Sequence, residues 1–139
     1  MKDHKGLIPI ESSAAIEFID ITERVKKEIA KSGVKNGIAV IGSNHTTACV
    51  RISENCARLT KDMISFLEAL VPQKKYLHDE DTVDDRPNAR GHIMALFLNS
   101  SECVSVENGE LSIGNWQSIF FVELDGPRNN RSVQVKVVE

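Results

Sequence analysis

Three histidines, His45, His78 and His92, fall where the sequence passes from one predicted element to the next. Loops at the ends of strands are the usual places for binding and catalytic side chains. Neutral imidazole is the commonest metal ligand in proteins, and three histidines with one open position make a catalytic zinc-type site. No H-E-x-x-H or similar motif fixes their geometry, so spacing alone favours three separate histidines over one shared site.

The segment between the last two of these histidines, HDEDTVDDRPNARGH at 78–92, is strongly acidic and has almost no apolar content. Carboxylates can hold a divalent ion that in turn binds phosphates, although a run of charges is more often a solvated loop. Asp79 is the main candidate because it adjoins His78, where it could bind the ion or orient the imidazole. The acidic residues of the segment are Asp79, Glu80, Asp81, Asp84 and Asp85.

Glu54 lies between a predicted strand and a predicted helix. An acidic side chain at a helix N-terminus is stabilised by the helix dipole, so a capping role is one explanation. If the side chain faces the same cavity as the histidines, it is instead a candidate general base.

Arg128 and Arg131 flank the turn that follows WQSIFFVELDGP. An arginine in a rigid turn can bind phosphate through two parallel hydrogen bonds, and a solvated turn arginine is an equal alternative. Trp116 is the only tryptophan, and it is either a core residue or a flat wall for an aromatic ligand ring.

Two long segments have the period of amphipathic helices, and a shorter one follows the acidic segment. Residues 20–33 combine apolar residues at intervals of four, an acidic capping box and a terminal glycine. Residues 55–70 carry an apolar stripe and end before Pro72, and HIMALFLNS favours a short helix with Asn88 as its cap. The patterned residues are Ile21, Val25 and Ile29, Asp20 with Glu23, and Gly33 in the first helix, and Leu59, Met63, Phe66, Leu67 and Leu70 in the second.

The remaining segments predict strands. LIPIES and AIEFID are two short strands, GIAVIG at 37–42 suits a strand buried on both faces, and ACVRI alternates as a half-buried strand. ECVSVENGELSI predicts a hairpin that turns at Asn108-Gly109, and WQSIFFVEL and RSVQVKVV are the closing strands. The result is an α+β fold with a mixed, mainly antiparallel sheet, a sandwich- or barrel-like core, and two main helices on one side.

The bulk properties favour one soluble domain over residues 1–139, with 17 basic and 20 acidic residues and a net charge of −3. This balance argues against a nucleic-acid surface, and no signal peptide or membrane-length apolar run is visible. The three cysteines are odd in number and lack C-x-x-C spacing, which favours a reducing, cytoplasmic location. His4 is expected to lie in a frayed terminus.

Six short motifs occur in order over nearly the whole chain, and together they resemble the YjbQ-like family, widely labelled secondary thiamine-phosphate synthase. The motifs are HTTA at 45–48, SEN at 53–55, YLHD at 76–79, GHI at 91–93, GNWQSI at 114–119 and ELDGPR at 123–128.

The resemblance implies a small cytoplasmic α+β domain that assembles as a homotrimer and holds a divalent metal, zinc or magnesium, in a catalytic pocket. The implied reaction joins a pyrimidine diphosphate to a thiazole phosphate and releases pyrophosphate. The implied partner is thus a small phosphorylated or anionic ligand, with no nucleic acid and no membrane. The implied site consists of the metal ligands His45, His78 and His92, the catalytic residues Glu54, Asp79 and Arg128, and the substrate-binding residues Asn55, Trp116, Gln117 and Glu123.

The sequence departs from the family pattern at Ala57, Gly91, Asn99 and Ser118. None of these changes removes a candidate ligand. Asn99 and Ser118 replace glycines of the pattern and can alter the backbone turns near the pocket, so the resemblance specifies the fold more closely than the choice of substrate.

Two other functions use the same residues. One is a metal-dependent hydrolase of a phosphate ester, with Glu54 as base and a metal-bound water as nucleophile. The other is a non-catalytic trimer that binds a small anion or a metal.

Overall fold

The computed structural model describes residues 1–80 and 83–139. Over these residues the chain forms eight strands, three α-helices and one 3-10 turn. In chain order the elements are β1 Asp3–Ser12, β2 Glu17–Asp20, α1 Thr22–Ser32, β3 Gly37–Gly42, β4 Ala48–Ser53, α2 Ala57–Leu70, the 3-10 turn Leu77–Glu80, α3 Ala89–Ala95, β5 Ser101–Glu107, β6 Glu110–Leu111, β7 Ser118–Glu123 and β8 Arg128–Val138.

The strands form two sheets, which give an α+β fold with a curled, half-barrel core as expected. The first sheet has the order β1-β8-β3-β5-β6 and the second has the order β2-β7-β4. All the pairings described are antiparallel, so the mainly antiparallel prediction is confirmed and no parallel pair occurs among them. Asn108 and Gly109 both have positive φ, which is the geometry of the predicted hairpin turn.

The larger apolar core lies between the two sheets, and α1 packs into it. Ile21, Val25 and Ile29 are all buried there, which confirms the period of four. Gly33 ends the helix at φ 68, the left-handed conformation that glycine adopts most readily. The predicted capping box is wrong, because Ile21 occupies the N-cap and Asp20 instead accepts hydrogen bonds from the backbone and hydroxyl of Thr22.

A second core covers the opposite face of the second sheet. Cys49 and Phe120 point into it from the strands, and Leu67 of α2 and Met94 of α3 close it. The second sheet has apolar side chains on both faces, so it needs a covering layer on each side. The expectation that both main helices lie on one side is therefore wrong, and β4 is buried on both faces around Cys49.

Two apolar patterns remain partly at the surface. Within β3, Ala39 and Ile41 are buried but Ile38 and Val40 are 44% and 36% exposed, so the expectation of burial on both faces is wrong for the single chain. In the stripe of α2 only Leu67 is buried. These exposed side chains lie where nothing in the same chain covers them among the described residues.

The start and end of the chain lie together. Strand β1 pairs with β8 from Asp3 opposite Val138 onward. The backbone N–H of Glu139 donates to the carbonyl of Lys2 at 3.0 Å. His4 is therefore part of a strand, 2.8 Å from Glu28, and the expected frayed terminus is wrong.

Residues 1–80 and 83–139 contain no helix with the length and apolar composition needed to cross a membrane. The longest helix is α2, with 14 residues.

Candidate functional site

The three candidate histidines line one pocket of about 460 Å³, a volume suited to a small-molecule ligand. The loop after β3, the 3-10 turn, α3 and the start of β8 meet there. The lining residues are Asn44, His45, Thr46, Thr47, His78, Val83, Asp84, Asn88, His92, Arg128 and Arg131. The structure thus brings together the predicted histidines and both predicted arginines.

His78 and His92 are direct neighbours. Their ring centroids lie 4.9 Å apart, and the rings are nearly perpendicular at 83°. His78 comes from the 3-10 turn and His92 from α3, so their separation depends on how these two elements are held together.

Asp79 connects the 3-10 turn to α3. Its carboxylate accepts hydrogen bonds from the backbone N–H of Tyr76 at 3.0 Å and of Ala89 at 3.1 Å. These two bonds hold the pKa of Asp79 below its usual range. The carboxylate therefore joins the 3-10 turn to the start of α3, and it places His78 beside His92.

Asn88 and Asp125 connect His78 to the arginines. Asn88 Oδ1 lies 3.2 Å from Nε2 of His78, and Asn88 Nδ2 donates to Asp125 Oδ2 at 2.8 Å. Asp125 also accepts from Arg86 at 3.0 Å and from Arg128 at 2.6 Å. Burial opposes ionisation of Asp125, but the bonds from Arg86, Asn88 and Arg128 outweigh it and lower the pKa.

Sequence reasoning gave Asn88 only a capping role and did not single out Asp125. The side chain of Asn88 makes no cap, although the residue does occupy the N-cap of α3. The signal for Asp125 was its place inside the ELDGPR motif, three residues before Arg128.

His45 is arranged differently from the other two histidines. Its Nε2 accepts a hydrogen bond from the backbone N–H of Ser132 at 3.0 Å, so this nitrogen carries the lone pair and Nδ1 carries the proton. Burial and the nearby charge of Arg131 lower the pKa of His45, which favours this neutral form. To bind a metal through Nε2, His45 would have to give up its bond to β8.

Arg131 is buried and forms a bidentate pair with Glu123, at 2.7 Å and 3.0 Å. It also donates to the hydroxyl of Thr47 at 2.8 Å. Arg131 is thus not a solvated turn arginine. Burial disfavours the charged form of Glu123, but hydrogen bonds from Arg131, Ser12 and the backbone of Asp125 lower its pKa overall.

Glu123 has no exposed surface, and its oxygens are already occupied by these donors. A role of Glu123 in ligand binding would therefore run through Arg131, because its own carboxylate is enclosed.

Four further predicted site residues do not line the histidine pocket of their own chain. Glu54 is exposed after β4, and Asn55 donates to Asp20 at 2.7 Å. Gln117 accepts from the backbone N–H of Gly114 at 2.7 Å, and Trp116 is 77% exposed, so it is not a core residue. Of the acidic segment, Asp84 lines the pocket and Asp81 lies outside the described residues.

The donor set fits a metal held by two imidazoles. In the part of the chain that the structure describes, no group of three or more His, Cys, Asp or Glu side chains could hold an ion. His78 does make the supporting bond typical of a metal-binding histidine, since its Nε2 meets an acceptor, Asn88 Oδ1. His78 and His92 would thus be the pair to hold an ion, with its other positions left to ligand or water, and the predicted third ligand, His45, does not join them in a group of three in the described residues.

A family model described as UPF0047 protein YjbQ-like matches residues 7–139. A UPF0047 protein of Methanothermobacter thermautotrophicus is 44% identical over 125 residues, covering 89% of this chain and 85% of that protein. UPF0047 protein YugU of Bacillus subtilis is 34% identical over 132 residues, covering 94% of this chain and 96% of that protein.

Solved structures have the same fold. A YbjQ-like protein of unknown function from Sulfolobus solfataricus P2 aligns with a TM-score of 0.90 and 35% identity, over 98% of this chain and 96% of that chain. An uncharacterized conserved protein of the yjbq/upf0047 family from Clostridium acetobutylicum aligns with a TM-score of 0.83 and 36% identity, over 99% of this chain and 100% of that chain.

Proposed function

The chain belongs to the UPF0047 YjbQ-like family, and from this premise we propose that its histidine pocket binds a small phosphorylated ligand and acts as a metal-assisted transferase on a diphosphate ester. The finer reaction is the one that the family resemblance implies, in which a pyrimidine diphosphate is joined to a thiazole phosphate with release of pyrophosphate. The observation that carries the proposal is the convergence of His78, His92 and Arg128 on one pocket.

Departure of pyrophosphate needs positive charge and hydrogen-bond donors at the leaving oxygens. Arg128 is held by Asp125 through its Nε and one Nη, so its guanidinium is fixed at the pocket wall. His45 adds a neutral donor, because its Nδ1 carries the proton. These groups bind and orient a phosphate before any bond breaks.

His78 and His92 would hold a divalent ion, zinc or magnesium. When bound there, the ion would neutralise charge on the departing phosphate oxygens. Asp79 would support the metal site without binding the ion, because it holds the turn that carries His78 against the helix that carries His92.

Metal content is the first test. Tag-free protein is analysed for elements beside the His78→Ala/His92→Ala double variant, with His4→Gln as a histidine control outside the pocket. We expect about one divalent ion per chain in the wild type and the control. We expect the double variant to lose the ion, because alanine has no imidazole nitrogen to bind it. Absence of metal from reloaded wild-type protein would overturn the metal-assisted mechanism.

Activity is the second test. Pyrophosphate release is measured after the two thiamine precursors are mixed, and the double variant is expected to lose it. Retention of synthase activity in that variant would overturn the role of the two histidines. Turnover of a generic phosphate ester alone would favour the hydrolase, although Glu54 lies outside the pocket of its own chain. Ligand binding without turnover would favour the non-catalytic trimer.

A homotrimer is part of the same proposal. The exposed apolar residues of β3 and α2 provide surface that a neighbouring subunit can bury. Asn55, Trp116 and Gln117 do not reach the pocket of their own chain, and a trimer with pockets near the subunit boundaries would let them complete the pocket of a neighbour.

The proposed location is the cytoplasm. Cys49, Cys56 and Cys103 are all free thiols in the structure, as expected of a protein from a reducing compartment.

A further inference from the structure

Asn88 lines the pocket beside His78 and has no assigned role in the proposed chemistry. Its side-chain amide sits between the ring of His78 and the carboxylate of Asp125, at 3.2 Å and 2.8 Å. The two ends of an amide have opposite hydrogen-bonding properties, so the neighbour at one end decides what the other end presents.

The Asp125 end is fixed. An ionised carboxylate only accepts hydrogen bonds, and two guanidinium groups, those of Arg86 and Arg128, keep this one ionised. Asn88 must therefore turn its NH2 group toward Asp125. Its carbonyl oxygen then faces Nε2 of His78, and a carbonyl oxygen only accepts.

We infer that Asn88, oriented by Asp125, is a positioning residue that fixes His78 as the Nε2–H tautomer and leaves Nδ1 as the nitrogen with the lone pair. The consequence for the site rests on the proposed function: His78 would bind the ion through Nδ1. His45 has the opposite tautomer, because its Nε2 accepts from Ser132. The Nδ1 atoms of the two histidines thus differ: that of His78 can accept a hydrogen bond or bind an ion, and that of His45 can donate a hydrogen bond.

The tautomers are measured directly by long-range 1H–15N NMR of metal-free protein labelled at histidine nitrogen, in alkaline buffer where free imidazole is neutral. In the wild type we expect His78 to show a protonated Nε2 and a lone-pair Nδ1, with His45 reversed. In Asn88→Ala, the ring nitrogens of His78 should show 15N chemical shifts averaged over both tautomers, while those of His45 stay unchanged.

Asn44→Ala is the matched control, because Asn44 lines the same pocket but bonds to Gln134. It should leave His78 unchanged. Asp125→Asn is a second variant, in which Asn88 can turn either way and His78 should again become mixed. A wild-type His78 found as Nδ1–H, or as an even mixture, would overturn the inference without any variant.

Affinity for Zn²⁺ alone, measured by competition with a chelating dye, separates this inference from the proposed function. Loss of the supporting bond in Asn88→Ala is expected to weaken Zn²⁺ binding by about 10–100-fold, and Asn44→Ala should bind as the wild type does. If wild-type protein has the inferred tautomer but binds no Zn²⁺, the metal proposal fails and the role of Asn88 stands. If Zn²⁺ binds equally to Asn88→Ala and the tautomer of His78 is unchanged, the role of Asn88 fails and the metal proposal stands.

Discussion

At the scale of single residues, the buried pair of Arg131 and Glu123 is the anchor of the pocket wall. Both side chains are buried and bonded to each other. Glu123 also accepts a hydrogen bond from Ser12, and Arg131 donates one to Thr47. A buried ion pair of this kind is costly to break from one side, because removal of one partner leaves an uncompensated charge in the interior.

Replacing Glu123 with leucine is therefore expected to lower the free energy of unfolding by about 3–5 kcal/mol. The Glu123→Leu/Arg131→Met double variant should cost less than Glu123→Leu alone, since it buries no charge. Urea denaturation of both variants measures the difference, and a double variant that is less stable than the single one would contradict this account.

Acid should destabilise the protein through Asp125 and Glu123. Both carboxyls have folded-state pKa values below their usual range, so the unfolded chain takes up protons first as the pH falls. Their stabilisation is complete above the unfolded value of about 4 and is lost as the pH falls through the folded values.

Chemical denaturation between neutral and acidic pH should show the free energy of unfolding falling most steeply below about pH 4. Asp125→Asn should be less stable at neutral pH and should show a shallower fall. An equally steep fall in that variant would assign the acid sensitivity to other carboxyls.

The sequence pointed to His45, His78 and His92 as a group only through the motifs, because spacing carries no information on long-range contacts. The sequence could not show which ring nitrogen of each histidine carries the proton. His45 and His78 look alike in the sequence, and their opposite tautomers arise from Ser132 and Asn88, partners set by tertiary structure.

At the scale of elements, the position of α3 depends on the absence of a side chain at Gly91. A Cβ there would lie 2.6 Å from the carbonyl oxygen of Leu124, which belongs to the backbone just after β7 and cannot easily move aside. The same helix carries His92, so the close approach of helix and strand sets where that imidazole stands.

Gly91→Ala is expected to destabilise the protein by about 1–3 kcal/mol through overpacking. In a helix with free space at this position, the same change would raise the free energy of unfolding, so the sign of the change shows whether the Cβ is crowded. Gly114→Ala is the control, since its Cβ would meet only the flexible side chain of Gln117 at 3.4 Å. Thermal or urea unfolding gives the sign, and a Gly91→Ala variant as stable as the wild type would show that α3 can move away from β7.

Elements with a clear period were predictable, and their partners were not. The period of α1 and the Asn108-Gly109 turn were confirmed because both are encoded locally. The placement of α2 failed because an apolar stripe does not say which face of which sheet it covers. The apolar run of β3 likewise predicted burial, and one of its faces is uncovered in the single chain.

At the scale of the whole molecule, the uncovered apolar side chains are the surfaces that the proposed trimer could bury. Ile38 and Val40 stand on the outer face of the first sheet, and Leu7 of β1 is exposed two strands away, with β8 between. Phe66 of α2 and Phe97, just after α3, line a separate apolar groove.

Sedimentation velocity of the wild type is expected to give a trimer, and Ile38→Lys is expected to dissociate it by burying an unpaired charge at the interface. Leu77→Lys is the control, because Leu77 is an exposed leucine in the 3-10 turn, away from the β3 patch. A monomeric wild type would contradict the trimer. If Ile38→Lys remains trimeric and Phe66→Lys does not, the interface lies at the groove of α2 and not at β3.

The pairing of β1 with β8 sets the order in which the molecule can be assembled during synthesis. Strand β8 lies between β1 and β3 in the first sheet, yet it leaves the ribosome after the seven other strands that the structure describes. Until it arrives, β1 has no partner in that sheet and β3 has only β5. Such long-range closure slows folding and leaves strand edges free to pair with other chains. For this protein, nascent chains that are close together can thus pair through the free edges of β1 and β3. Once β8 is in place, it occupies both of these edges.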